Sequence, residues 1–137
     1  MYSLTYVSSA VAKLSADQLR EILEQSRRNN EPQGITGLLL YKGGNFMQVL
    51  EGERDVVLRA KERIAKDSRH RGILVLLEGD IEQRSFASWS MAFKDLNAAA
   101  GEIPGYDEFL NTSLTDERFV NDPAMSVKLL QIFKRTM

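Results

Sequence analysis

The stretch Asn29–Gly52, NNEPQGITGLLLYKGGNFMQVLEG, decides the fold of this chain. Two apolar runs flank the turn residues KGGN at 42–45, which is the pattern of a β-hairpin. The second run contains a glutamine, Gln48, among Phe, Met, Val and Leu. A buried amide without partners costs about 1–3 kcal/mol. We therefore predict that the fold satisfies this amide locally or uses it to hold a polar ligand.

The residues around the hairpin predict an α+β domain. A capping box at Ser15 opens the first helix, and Pro32 ends it, because proline disfavours helix at the residue before it. Gly72–Leu77 is almost wholly aliphatic, which predicts burial on both faces. The predicted elements are strand Tyr2–Val7, the helix from Ser15 to Asn30, strands Gly34–Tyr41 and Asn45–Leu50, helix Glu53–Asp67, and strands Gly72–Leu77 and Trp89–Phe93. This β-α-β-β-α-β-β order predicts a ferredoxin-like fold with a five-stranded mixed sheet.

The 137 residues suffice for one domain with a single core, followed here by a tail of different texture. Residues 98–105 are mostly small, which predicts a flexible joint, and Asp122 with Pro123 predicts the start of a final amphipathic helix that runs to Lys134. We divide the chain into a main domain, residues 1–97, and a C-terminal helical extension, residues 98–137. The extension is predicted to pack on the sheet or on another subunit.

Composition excludes several classes of function. The chain has no cysteine and a single histidine, His70, so thiolate metal sites are excluded and other metal sites or catalytic triads are disfavoured. A net charge of −1 provides no basic field for nucleic acid or anionic lipid. No apolar run approaches the ~20 residues that cross a bilayer, so we expect a cytoplasmic protein. The carboxylates Glu51, Glu53, Glu78 and Asp80 are expected to be solvated or to lie at helix starts.

Three polar residues in apolar settings favour a binding site. Tyr6, Asn30 and Gln48 come from three separate elements, and a phenol with two amides can recognise a planar heterocycle that carries donors and acceptors. Ile22 and Ile64 would form its apolar walls.

The strand and helix order alone is also compatible with two other functions. One is a small ferredoxin-like enzyme or ligand-binding module, such as an acylphosphatase-like protein that uses an arginine with Asn30. The other is a structural subunit whose apolar tail drives assembly.

Four blocks of the sequence resemble the BLUF domains, blue-light sensors that bind a flavin. They are LTYVSSA at 4–10, SRRNNEPQGITGLLLYKGGNFMQVLEGE at 26–53, RIAKDSRH at 63–70 and RSFASWSMAF at 84–93. The resemblance covers residues 1–97. It implies a non-enzymatic photoreceptor of the short stand-alone type, in which a small helical tail follows the sensor.

The resemblance implies a role for each matching residue. Tyr6 would donate an electron and a proton to the excited flavin, and Gln48 would bridge Tyr6 and the N5/O4 edge of the ring. Rotation or tautomerisation of the Gln48 amide would then give a red-shifted signalling state. Asn30 would hold the carbonyl and imide edge, with Ile22, Ser26 and Ile64 beside a ring that lies between the two helices on one face of the sheet.

The remaining matches concern the flavin tail and the output. The residues expected near the ribityl and phosphate groups are Asn29, Arg63, Asp67, Arg69 and His70. Trp89 and Met91 would relay the signal through the last strand, and Met91 would also lie near the flavin. The expected cofactor is FAD, with FMN or riboflavin as alternatives. The expected partners are an unidentified downstream signalling protein and further copies of the chain. Neither nucleic acid nor a membrane is expected as a partner.

Overall fold

The computed structural model describes residues 1–42, 44–87 and 92–95, the last four and Lys42 by their backbone alone. Its elements are β1 (Tyr2–Ala10), α1 (Ala16–Asn30), a 3₁₀ turn (Glu31–Gln33), β2 (Thr36–Lys42), β3 (Asn45–Gly52), α2 (Arg54–Ala65), β4 (His70–Asp80) and β5 (Ala92–Asp95). The α+β class is confirmed. Trp89, Met91 and the extension 98–137 lie outside the described residues.

Local signals set the bounds of α1. The Ser15 hydroxyl accepts from the main-chain nitrogen of Gln18 at 3.2 Å. The Gln18 side-chain oxygen accepts in return from the main-chain nitrogen of Ser15 at 2.8 Å, which completes the predicted capping box. After the 3₁₀ turn, Gly34 adopts a φ of 69°, a left-handed conformation that glycine takes without steric cost. The turn lets the Ile35 nitrogen donate to the Asn30 carbonyl at 3.0 Å. Asn30 is thereby fixed at the end of α1.

The sheet has the order β4-β1-β3-β2-β5. The first four strands are antiparallel neighbours, whereas β5 pairs with β2 in parallel. Tyr6 lies opposite Gln48, and Gln48 lies opposite Leu39. Both helices pack on one face of this sheet, and the side chains of Tyr6 and Gln48 lie on that same face.

Both faces of the central strands are buried. On the helix side, Leu4 and Leu50 join Leu23 of α1 and Val57 of α2 in one apolar cluster. Side chains of opposite parity, which lie on the far side of the sheet, are buried as well: Val7, Leu38, Leu40, Met47 and Val49. Glu51 has the same parity as Met47 and Val49, so its carboxylate lies on this far side, and it is only 1% exposed. The expectation that Glu51 is solvated is therefore wrong.

The prediction that the aliphatic strand is buried on both faces is also wrong. This strand, β4, lies at the edge of the sheet, where Ile73 and Val75 pack against the helix-side cluster. Leu74 and Leu77 point the other way and are 57% and 49% exposed. Register shifts beside Tyr6 and Val7 mark bulges in the pairing of β1 with β4, a common device of edge strands.

Candidate functional site

A cavity of about 570 Å³ opens between α1, the connection from α2 to β4, and the helix side of the sheet. This volume lies within the range of small-molecule sites. Every described residue that the sequence assigned to the site lines it: Tyr6, Ile22, Ser26, Asn29, Asn30, Gln48, Arg63, Ile64, Asp67, Arg69 and His70. Trp89 and Met91, the remaining two, lie outside the part of the chain that the structure describes.

The cavity has further lining residues that the sequence analysis missed: Glu21, Gln25, Leu39, Phe46, Lys66 and Ser68. Two kinds of signal could have found several of them. Glu21, Gln25 and the predicted site residue Asn29 follow one another at intervals of four residues, which places them on one face of α1. Leu39 is the cross-strand partner of Gln48, so the hairpin register would have placed it there.

A buried hydrogen bond forms the floor of the cavity. The Tyr6 hydroxyl donates to Oε1 of Gln48 at 2.5 Å, and both side chains are 3% exposed. The antiparallel register of β1 and β3 brings the two residues together, since they are direct cross-strand partners on the helix side. The glutamine in the apolar strand is therefore satisfied by a phenol, and this polar pair faces a space that can hold a ligand.

His70 meets the cavity with its ring rather than with a spare nitrogen. Nε2 lies 2.6 Å from the Ile64 carbonyl oxygen, which can only accept, so Nε2 carries the proton. Nδ1 lies 2.8 Å from the Ser8 hydroxyl, so the protein engages both ring nitrogens. The ring centroid lies 6.3 Å from that of Tyr6 and 6.4 Å from that of Phe46. His70 thus supplies a fixed aromatic wall next to the floor.

Charged residues surround the other end of the cavity. Arg69 donates through Nε to Oδ1 of Asp67 at 2.9 Å, through Nη2 to Oδ2 of the same carboxylate, and through Nη2 to Oε1 of Gln25 at 2.7 Å. Arg69 therefore ties α1 to the loop before β4. Its hydrogen bond to Asp67 lowers the pKa of that carboxyl. Arg63 and Lys66 add positive charge to the lining, and Glu21 adds negative charge.

Burial raises the pKa of the Tyr6 phenol above its usual value near 10, and the charge of Asp67 raises it further. The folded protein therefore keeps a proton that the unfolded chain loses above about pH 10. This contribution to stability is fully present below that pH and is lost as the pH rises through the folded-state pKa.

An alkaline titration tests the protonation of Tyr6. We expect the phenolate absorbance of the wild type and of Tyr6→Phe to rise in parallel up to about pH 10, because Tyr6 stays neutral there. The extra phenolate of the wild type should appear only at higher pH. A wild-type excess at pH 10 would contradict this assignment.

The lining as a whole suits a planar heterocycle with a polar edge. The phenol and the amide of the floor, with Asn30 beside them, can meet ring donors and acceptors. Ile22, Ile64 and the other apolar residues form the walls. Within residues 1–42, 44–87 and 92–95, no cluster of His, Asp and Glu could hold a metal ion. No helix among these residues is long and apolar enough to span a membrane.

Comparison with known proteins gives relatives that respond to light. The subunit beta of a photoactivated adenylate cyclase from Euglena gracilis is 30% identical over 132 residues, 96% of this chain but only 13% of that protein. The chain thus spans a small part of such relatives. The structure of BlsA in its photo-activated state matches with a TM-score of 0.67 and 36% identity over 79% of this chain and 81% of that one.

The dark-state structure of the BLUF protein BlrB matches with a TM-score of 0.67 and 31% identity, covering 85% of this chain and 87% of that one. The family model described as sensors of blue-light using FAD matches residues 1–92, which include the whole cavity lining. The chain therefore belongs to the BLUF family of flavin-dependent blue-light sensors.

Proposed function

We propose that the cavity holds FAD without a covalent bond and that Tyr6 and Gln48 are its photochemical partners. The Tyr6–Gln48 hydrogen bond at the floor of the cavity is the observation on which this proposal depends. Asn30, 2% exposed at the end of α1, would hold the imide edge of the ring. Ile22, Ser26 and Ile64 would contact its faces.

The charged end of the cavity would receive the ribityl and phosphate part. Arg63, Arg69 and Lys66 supply the positive charge for a phosphate, and Asn29 supplies an amide for the ribityl hydroxyls. Asp67 would act indirectly, by holding the Arg69 guanidinium in place. His70 would contribute only its ring, because both of its nitrogens are bound by the protein.

A bound flavin absorbs blue light and becomes a strong oxidant in its excited state. Tyr6 is suited to be the reductant, because its phenol is buried, neutral and hydrogen-bonded. As Tyr6 gives up an electron, its proton can leave along the existing bond to Oε1 of Gln48. The electron and the proton thus depart together, so no charge is left buried on the phenol, and both return to Tyr6 afterwards, so the cycle leaves no net oxidation.

The Gln48 amide is the element that stores the response. Its oxygen accepts from Tyr6 in the structure, whereas its NH₂ group can only donate. After rotation or tautomerisation, the group that faces Tyr6 and the group that faces the ligand have changed their hydrogen-bonding sense. This change shifts the absorption to the red, and no substrate is converted.

We propose that the altered bond pattern leaves the site through the last strand. Gln48 lies opposite Leu39 of β2, and Leu39 pairs in turn with Phe93 of β5. Trp89 and Met91 precede β5 in the chain and would carry the change to it and on to the extension 98–137. The receiver would be a separate signalling protein of the cytoplasm, and the apolar extension would support a homo-oligomer.

Spectroscopy on the purified chain tests this function. With FAD, FMN or riboflavin added separately, we expect uptake of a flavin, and FAD should bind most tightly. Blue light should then shift its absorption to the red, and the shift should reverse in darkness. A preparation that stays colourless after incubation with all three flavins would reject the proposal. Tight binding of riboflavin alone would reject the assignment of the charged end.

A further inference from the structure

A buried carboxylate lies on the far side of the sheet from the cavity. Glu51 follows Gln48 by three residues in β3, so the two side chains point to opposite faces. Its Oε1 accepts from the Phe86 nitrogen at 2.9 Å and from the Thr36 hydroxyl at 3.1 Å, and its Oε2 accepts from the Ser85 nitrogen at 2.7 Å. Both carboxylate oxygens are thus engaged by donors.

Arg84 completes this cluster. Its Nη1 donates to the Thr36 hydroxyl at 2.8 Å and to the Glu51 main-chain carbonyl at 3.2 Å. Phe86 is fully buried. The chain at 84–86 is therefore attached to β2 and β3 by side-chain and main-chain bonds together. We call these five residues the carboxylate clamp: Thr36, Glu51, Arg84, Ser85 and Phe86.

The clamp lies just ahead of β5 in the chain. Thr36 is the cross-strand partner of Glu51, and two residues further along β2, Leu38 pairs with Ala92 of β5. The chain from 87 to 91 therefore connects two points that are both attached to β2. One end of this connection is held by the clamp, and the other is held by the pairing of β5 with β2.

The two ends differ in how firmly they are held. Hydrogen bonds from main-chain N–H groups to a carboxylate are roughly twice as strong as neutral ones, and the burial of Glu51 keeps water from competing with them. The β5 end consists of four residues paired with a single described strand. When residues between the two ends are displaced, the β5 end is therefore the one that yields.

We propose that Glu51 is a positioning residue of the light response, which fixes the chain ahead of β5 so that a change at Gln48 is delivered to β5. The proposal rests on the function proposed above, in which the last strand carries the signal. It adds a residue that touches neither the cavity nor its ligand. The clamp itself keeps the same bonds in darkness and in light.

The test is Glu51→Gln, with Glu53→Gln as the matched control, since Glu53 is exposed and makes no side-chain cap. Hydrogen exchange of single amides is followed in the flavin-loaded protein, in darkness and under blue light, alongside the absorption spectrum. In the wild type and in Glu53→Gln, we expect light to change exchange at residues 92–95 and to leave Ser85 and Phe86 unchanged.

In Glu51→Gln, the amide offers one acceptor oxygen to two main-chain donors. We expect exchange at Ser85 and Phe86 to be about tenfold faster in darkness, because the loss of buried hydrogen bonds lowers the local opening energy. The red shift should keep its size, because Tyr6 and Gln48 are untouched. The light-induced change at 92–95 should fall by more than half. A purely structural role for Glu51 would lower stability without separating the red shift from the response of β5.

The outcomes separate the inference from the function on which it rests. A wild type without any red shift rejects the proposed function, and the inference with it. A normal red shift with an undiminished response at 92–95 in Glu51→Gln rejects the inference alone. If Glu51→Gln does not fold, Arg84→Met removes two clamp bonds from a partly exposed position. An undiminished response at 92–95 in that variant rejects the inference equally.

Discussion

Tyr6→Phe is expected to retain the flavin and to lose the red-shifted state that forms under blue light. The substitution keeps the aromatic ring in the floor of the cavity but removes the hydroxyl that donates to Gln48. Phenylalanine is a far poorer electron donor than tyrosine and has no acidic proton. The measurement is the difference spectrum between illuminated and dark protein, taken at matched flavin occupancy.

Tyr41→Phe is the control for this experiment. Tyr41 is buried on the helix side of β2, where its ring packs on Phe46 at 5.0 Å, but it does not line the cavity. The red shift should be intact in this variant. A full red shift with unchanged yield in Tyr6→Phe would show that Tyr6 is not the donor.

Gln48→Leu is expected to abolish the red shift while Tyr6 remains in place. Leucine has a similar volume but cannot accept from the phenol, so the Tyr6 hydroxyl is left in a site that is 3% exposed. An unpaired buried polar group of this kind costs about 1–3 kcal/mol of unfolding free energy. The dark and illuminated spectra should therefore coincide, and the protein should be measurably less stable.

A double-mutant cycle isolates the bond itself. Each single change, Tyr6→Phe or Gln48→Leu, removes one partner of the hydrogen bond and leaves the other partner without it. The double variant removes both partners, so neither is left behind. Denaturant unfolding in the dark should give a coupling of about 0.5–3 kcal/mol, with the double variant more stable than the sum of the singles implies. Gln33→Leu, at an exposed turn position, is the control and should leave the spectra unchanged. Strict additivity would contradict a direct bond.

The parts of the fold that follow from local chemistry were predictable from the sequence. The capping box at Ser15 and the hairpin each act within a few residues, and α1 ends at Asn30 as predicted. The stated reason is wrong, because Glu31 stays helical before Pro32 and the left-handed Gly34 ends the 3₁₀ turn that follows. The resemblance supplied the site residues, and the register of β1 with β3 explains physically why Tyr6 and Gln48 meet. That register is a contact across 42 residues of sequence, so periodicity alone could not establish it.

The errors of the sequence analysis concern tertiary surroundings. An aliphatic strand reads the same in the middle of a sheet and at its edge, so the exposure of Leu74 and Leu77 could not be foreseen. The sequence does not show which donors surround a glutamate, and the burial of Glu51 is made tolerable by the main-chain donors of Ser85 and Phe86 and by the Thr36 hydroxyl. Nδ1 of His70 likewise finds a partner that is distant in sequence, the Ser8 hydroxyl.

The odd spacing of Gln48 and Glu51 has a consequence for engineering such sensors. Side chains alternate strictly along a strand, so inserting or deleting one residue ahead of both would send each to the opposite side of the sheet. The Gln48 amide would then point away from the cavity, and the Glu51 carboxylate would lose its hydrogen bonds to Ser85 and Phe86. If Gln48 and Glu51 have the roles proposed above, a one-residue length change in β3 ahead of both is expected to abolish sensing and output together, whereas substitutions that preserve its length can alter one without the other.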